Sequence, residues 1–81
     1  MLKLTVYTPL GVILDLKDLE FISVPGVEGA IGVMSGHVPL ITTIHSGILS
    51  YRSKDASVTG SLALHHGFLE VYDDNVKICS D

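Results

Sequence analysis

Pro25-Gly26-Val27-Glu28-Gly29-Ala30-Ile31-Gly32-Val33-Met34-Ser35-Gly36-His37-Val38-Pro39-Leu40 holds four glycines and two prolines within sixteen residues, set among apolar side chains. Proline fixes φ and removes an amide donor, and glycine opens backbone conformations that other residues avoid. The stretch therefore reads as a shaped loop leading into a bulged strand, not as a helix. A flexible linker would be polar, whereas this one carries Val27, Ile31, Val33, Met34 and Val38. A stiff apolar loop on a small domain points to contact with another molecule.

Working outward, the periodicity is two almost everywhere. Leu2, Leu4 and Val6 alternate with Lys3, Thr5 and Tyr7, the mark of a half-buried strand. Thr8-Pro9-Leu10-Gly11 is a turn signal. Val12 to Leu14 follows as a short strand, with a turn or bend over Asp15 to Asp18. From Leu19 to Val24 both faces are largely apolar, with Phe21 on one and Ile22 and Val24 on the other, as suits a strand covered on both sides. Beyond the glycine-rich stretch, Leu40 to Ile44 reads as a strand, His45-Ser46-Gly47 as a turn, and Ile48 to Arg52 as its hairpin partner. Val58 to His66 alternates with Leu62 and Leu64 inward. Phe68 to Tyr72, the turn Asp73-Asp74-Asn75 and Val76 to Cys79 form a last hairpin. Tyr51, Phe68 and Tyr72 are expected to pack as strand aromatics. No segment shows a helical stripe. The expected fold is all-β: a flattened two-sheet sandwich or barrel of about eight to ten short strands, in a single domain over residues 1–81.

Composition narrows the function. The 81 residues suffice for one small core, and a lone cysteine, Cys79, forms no internal disulfide. Charged residues are 17% of the chain and apolar residues 47%, so some apolar surface is expected outside, where a contiguous patch would mark a partner site. The net charge of −4, with only five unclustered basic residues, argues against nucleic-acid binding. No apolar run reaches the roughly 18 residues of a membrane helix, so direct insertion is not expected. His37, His45, His65, His66 and Cys79 show no C-x-x-C or H-x-x-x-H spacing, so neither metal nor other cofactor is expected. No serine sits in a G-x-S-x-G elbow and no G-K-[ST] follows the glycines, so no catalytic residue is assigned.

The motifs, in order, are Thr8-Pro9, Val24-Pro25-Gly26, Glu28-Gly29, Ile31-Gly32-Val33, Gly36-His37-Val38-Pro39-Leu40 with Thr42, the turn through Gly47, Gly67-Phe68-Leu69-Glu70-Val71, and Asn75-Val76 to Asp81. Along nearly the whole chain they resemble the N-terminal β-sandwich domain of the epsilon subunit of the F-type ATP synthase, called delta in mitochondria. The string E-G-x-x-G-V-x-x-G-H-x-P-L is its most specific part. The resemblance implies a non-catalytic subunit of the rotating central stalk that couples proton or sodium-ion flow to ATP synthesis or hydrolysis. Its implied partners are the gamma subunit and the ring of membrane c subunits. Its implied place, in a bacterium, is the cytoplasmic face of the inner membrane as a peripheral subunit. The interface candidates carried over are Glu28, Gly29, Ile31, Gly32, Val33, Gly36 and His37. Family members often carry a second acid where this chain has Ala30, so the resemblance implies an electrostatic contact to the rotor ring that is either weaker here or rests on Glu28 alone. The family's usual C-terminal helical hairpin is not expected within these residues, so its inhibitory and nucleotide-sensing behaviour is not assigned to them. A free-standing β-sandwich adaptor or small-ligand module is the competing expectation.

Overall fold

The computed structural model describes residues 1–81. Eight strands follow in order: β1 (Leu2–Thr8), β2 (Gly11–Gly26), β3 (Gly29–Met34), β4 (Leu40–Ile44), β5 (Gly47–Ser53), β6 (Thr59–Leu64), β7 (Gly67–Tyr72) and β8 (Asn75–Ser80). The domain is all-β, as the turn chemistry implied. All strand pairs are antiparallel except β1 with β8, which run parallel.

The long strand β2 organises the rest. Sixteen residues at about 3.3 Å each would span roughly 50 Å, yet the domain measures only 30 × 25 × 19 Å, so β2 must bend. The bend lies at Asp18, whose φ is +59°. Pairing with β1 slips there between Leu2 and Leu4, and pairing with β5 slips between Leu19 and Phe21. Of the turn or bend expected over Asp15 to Asp18 it is the bend that occurs, as a β-bulge inside one continuous strand, because one extra residue turns a strand without ending it. The first half of β2 pairs with β1, which leads through β8 and β7 to β4. The second half pairs with β3 on one edge and with β5 on the other, and β5 carries β6. Gly26 meets Ile44 and joins the two layers again.

The glycine-rich stretch is part turn and part strand, as expected, but its strand β3 pairs with β2 without a bulge: Pro25 and Gly26 pair with Ala30 and Gly29 around a tight turn at Val27-Glu28. One more expectation is corrected: β4 and β5 are not hairpin partners. β4 pairs with β7 and β5 with β2 and β6, so His45-Ser46 carries the chain from one layer to the other.

The inward positions of all eight strands supply the core, from Leu2, Leu4 and Val6 through Ile22, Val24 and Val33 to Leu69, Val71, Val76 and Ile78. Each fully buried aliphatic side chain contributes roughly 1.5–3 kcal/mol of transfer free energy. Tyr51 packs against this core, but Phe68 and Tyr72 are 48% and 64% exposed, against the expectation for strand aromatics. Their positions alternate with buried Leu69 and Val71, which turns them outward.

The pairings define two rims. Gly26, Ile44, Gly67 and Ser80 are hydrogen-bonded neighbours in one row, so Val27-Glu28, His45, His66 and Asp81 lie just beyond it on what we call the histidine rim. Leu2, Leu19 and Ser53 share a row at the other end. Beyond that row lie Met1, the Asp18 bulge, the loop Lys54–Val58 and the turn Asp73-Asp74, which form the aspartate rim.

Candidate functional site

Each of the seven sequence candidates sits on or beside β3, but not together. Glu28 is exposed in the turn between β2 and β3, on the histidine rim, and forms no ion pair. Gly29 follows with φ +124°, a left-handed conformation that lets the chain reverse in so few residues. Gly36 and His37 leave the far end of β3. Five residue steps separate Gly29 from Met34, which is roughly 17 Å of extended chain. The string therefore presents Glu28 on one rim and His37 on the other.

Between them β3 alternates. Ile31 is half-buried against the core and Val33 is wholly buried within it. Val33 therefore packs inward and offers its side chain to nothing outside. Gly32 faces outward, where a Cβ would lie 3.1 Å from the Phe21 ring; the missing side chain leaves room for that aromatic. Phe21 in turn carries the Arg52 guanidinium 5.8 Å from its ring centroid, and Arg52 reaches Glu20 at 4.0 Å.

The segment Ser35 to Pro39 is held at its base. The Gly36 amide donates to Asp74 Oδ1 at 2.9 Å, and the His37 amide donates to the Met34 carbonyl at 3.1 Å. The His37 ring nitrogen Nδ1 lies 2.7 Å from its neighbour's carbonyl, Val38 O, so that ring satisfies local backbone. The Gly36 amide and the nearby N-terminal ammonium hold the Asp74 carboxyl below its usual value. Across the same rim Asp55 is lowered to about 2, first by the Ser57 hydroxyl, then by the Ser57 amide and the Ser53 hydroxyl.

Sequence reasoning missed two features. The outer face of β4 and β7 exposes Ile41, Phe68 and Tyr72 beside a groove of about 460 Å³ lined by Pro39, Leu40, Ile41, Glu70, Val71 and Tyr72. The alternation Phe68-Leu69-Glu70-Val71-Tyr72 carried that signal. The second is on the histidine rim, where the His45 and His66 rings stand 5.3 Å apart. No local spacing could have shown it, since the pairing of β4 with β7 brings them together.

Residues 1–81 match the family described as ATP synthase, Delta/Epsilon chain, beta-sandwich domain. The chain is 40% identical over 80 residues to the ATP synthase epsilon chain of Carboxydothermus hydrogenoformans, covering 99% of this chain and 58% of that one. It is 41% identical over 78 residues to the ATP synthase epsilon chain of Magnetococcus marinus, covering 96% of this chain and 55% of that one. It thus spans rather more than half the length of these relatives. Among solved structures, a chain of the Euglena gracilis mitochondrial ATP synthase, in an assembly of OSCP, F1 and c-ring, superposes with a TM-score of 0.87 at 25% identity over 98% of this chain and 49% of its own. A chain from the central stalk and c-ring of the Tetrahymena thermophila mitochondrial ATP synthase shares the fold, with a TM-score of 0.78 at 19% identity, over 98% of this chain and 62% of its own.

Proposed function

Since the chain belongs to the family of ATP synthase delta/epsilon β-sandwich domains, we propose that it is a non-catalytic part of the rotating central stalk of an ATP synthase, docked between the gamma subunit and the ring of c subunits. The match to the family over every residue carries this reading. The fold supports it mechanically. A closed sandwich with short turns transmits force with little deformation, and its exposed Ile41, Phe68 and Tyr72 suit a lasting interface, since such interfaces resemble a core cut in half. Neither chemistry nor small-molecule carriage is needed to explain any side chain, and the adaptor or ligand-carrier alternative is not favoured by relatives that are ATP synthase chains. In a bacterium the working place would be the cytoplasmic side of the inner membrane, as a peripheral subunit. The structure contains no helix, and so none long and apolar enough to cross a membrane.

Within that role we assign docking to six of the seven candidates. Glu28, Gly29 and Ile31 act from the histidine rim, Gly36 and His37 from the aspartate rim, and Gly32 through bare outward backbone between them. Val33 contributes only by holding β3 in place.

Affinity capture of the tagged protein from membranes of its source organism tests the reading. The expected result is co-purification with gamma and c subunits, and recovery of the protein alone overturns it. Because β3 keeps the rims apart, Glu28→Gln and His37→Gln should weaken capture independently, and the double variant should show the sum of their effects. Full capture by the double variant would remove both side chains from the contact while leaving the stalk assignment standing.

A further inference from the structure

Strand β3 pairs with β2 alone, so its other side is open. Which backbone groups face that opening follows from Pro25. Proline has no amide to give, and the Pro25 carbonyl accepts the His45 amide at 2.9 Å, away from β3. Pro25 and Ala30 are therefore opposed without mutual hydrogen bonds, and antiparallel pairing alternates from there. Ile31 and Val33 bond to β2. Ala30, Gly32 and Met34 turn their amides and carbonyls to the open side, and all three residues are exposed. Of these groups the Met34 carbonyl is already engaged, by the His37 amide at 3.1 Å.

Open strand edges are usually guarded by a charge, a proline or a bulge. β3 reads Gly-Ala-Ile-Gly-Val-Met, with no charge and no proline, and its register with β2 is unbroken. Such an edge is a template for another strand, and the sequence of β3 matches itself. In an antiparallel pair of β3 strands with Gly32 opposite Gly32, Ala30 stands opposite Met34. Each Gly32 amide then meets the other copy's Gly32 carbonyl, and each Met34 amide meets the other copy's Ala30 carbonyl. Glu28 and His37 lie beyond opposite ends of β3, so the same register brings the acid of one copy to the end that carries the base of the other. Glu28 has no ion pair within the chain. The His37 Nδ1 donates to the Val38 carbonyl at 2.7 Å, which leaves Nε2 for an outside group. The open edge of β6 lacks this match, since its nearest acid, Asp55, already accepts from Ser53 and Ser57.

We propose that two copies of this chain associate through β3 in this register, about a two-fold axis at Gly32, to form one continuous sheet. The contact is a single six-residue edge, smaller than a standard interface of about 1,200–2,000 Å², so the dimer is weak, with a Kd on the order of hundreds of micromolar. The inference rests on this chain's own backbone and not on the stalk reading. The edge runs between the two sets of docking residues, so pairing with a copy and docking to a stalk would exclude one another.

Sedimentation equilibrium of the intact protein from about 10 μM to about 1 mM tests it. The average mass should rise toward that of two chains, and a monomer throughout overturns the proposal. Met34→Pro removes one outward amide per copy and hence two bonds per dimer. It should raise Kd about tenfold or more, whereas Ser61→Pro on the open β6 edge should change it less than about twofold. Equal dimerisation by Met34→Pro and wild type overturns the proposal. Hydrogen exchange of the wild type needs no variant. The Gly32 and Met34 amides should exchange as open groups in dilute solution and gain protection as the concentration rises, while the Ile31 and Val33 amides, bonded to β2, stay protected throughout. Protection that grows at Ser61 instead, or nowhere on β3, also overturns it.

Discussion

At the histidine rim three glycines, Gly26, Gly47 and Gly67, have no room for a side chain and only Gly29 turns in open left-handed backbone, whereas at the aspartate rim the turns are made throughout by residues in left-handed backbone. A Cβ on Gly26 would lie 2.7 Å from the Gly29 carbonyl oxygen, one on Gly47 would lie 2.8 Å from Pro25 Cβ, and one on Gly67 would overlap the carbonyl oxygen of Cys79. On the opposite rim Asp18, Ala56, Asp73 and Asp74 have φ between +50° and +61°, and Gly36, at +83°, has nothing within 4 Å of where its Cβ would stand. The first rim is held by close backbone approach. The second is held by turn conformation and by carboxylates that accept backbone amides. The same residue type, glycine, thus answers two different physical demands.

The comparison breaks most readily at Gly67. An alanine there must push backbone rather than a flexible side chain, and overpacking of that kind costs on the order of 3 kcal/mol. Urea denaturation of Gly67→Ala should show a loss of that size; a loss below about 1 kcal/mol would mean that the β7–β8 pair relaxes freely and that the rim is not sterically closed. Gly36→Ala should cost less, about 1–2 kcal/mol, because only the left-handed backbone is strained. Asparagine at Gly36 should recover part of that loss, since it tolerates positive φ better than alanine. If Ala and Asn cost the same there, φ is not the reason for glycine at that position. Ala56→Gly reverses the sign. Relief of left-handed strain outweighs the added chain entropy, and the variant should be more stable by about 0.5–1 kcal/mol in the same assay.

The rims also mark how far the sequence could be read. Local and periodic features were legible: the alternation of Leu2, Leu4 and Val6, the β7–β8 turn at Asp73-Asp74, and the all-β class itself. What failed was long-range or required knowing where a strand ends. Asp15 to Asp18 has turn composition, yet a bulge needs the same residues and lets β2 run on. His45-Ser46-Gly47 sits between two apolar runs as a hairpin turn would, but β4 finds its partner in β7, more than twenty positions downstream. The candidate site suffered from the same limit. The string from Glu28 to His37 is continuous in sequence, and only the pairing of β3 with β2 shows that its two ends face opposite rims. The motif itself was recognisable at once, because its glycines and prolines are fixed by local backbone demands.

The smallest expected effect separates the rims by pH. The folded Asp55 carboxyl titrates at about 2 against an ordinary value of 3.8. Between those values the unfolded chain binds a proton that the folded chain does not, so stability rises with pH across that window. The contribution of Asp55 is therefore complete above 3.8 and is lost as the pH falls through about 2. Asp74, lowered chiefly by the Gly36 amide, acts in the same direction. Asp55→Asn should lower the unfolding midpoint slightly at pH 7, and the deficit should shrink on acidification until variant and wild type converge near pH 2. The deficit of Gly67→Ala, being steric, should stay constant across the same series. Midpoints measured from pH 7 down to 2 decide the matter. If the Asp55→Asn deficit does not shrink, the carboxylate's charge does not help to hold that loop, and the chemical contrast between the rims reduces to backbone geometry alone.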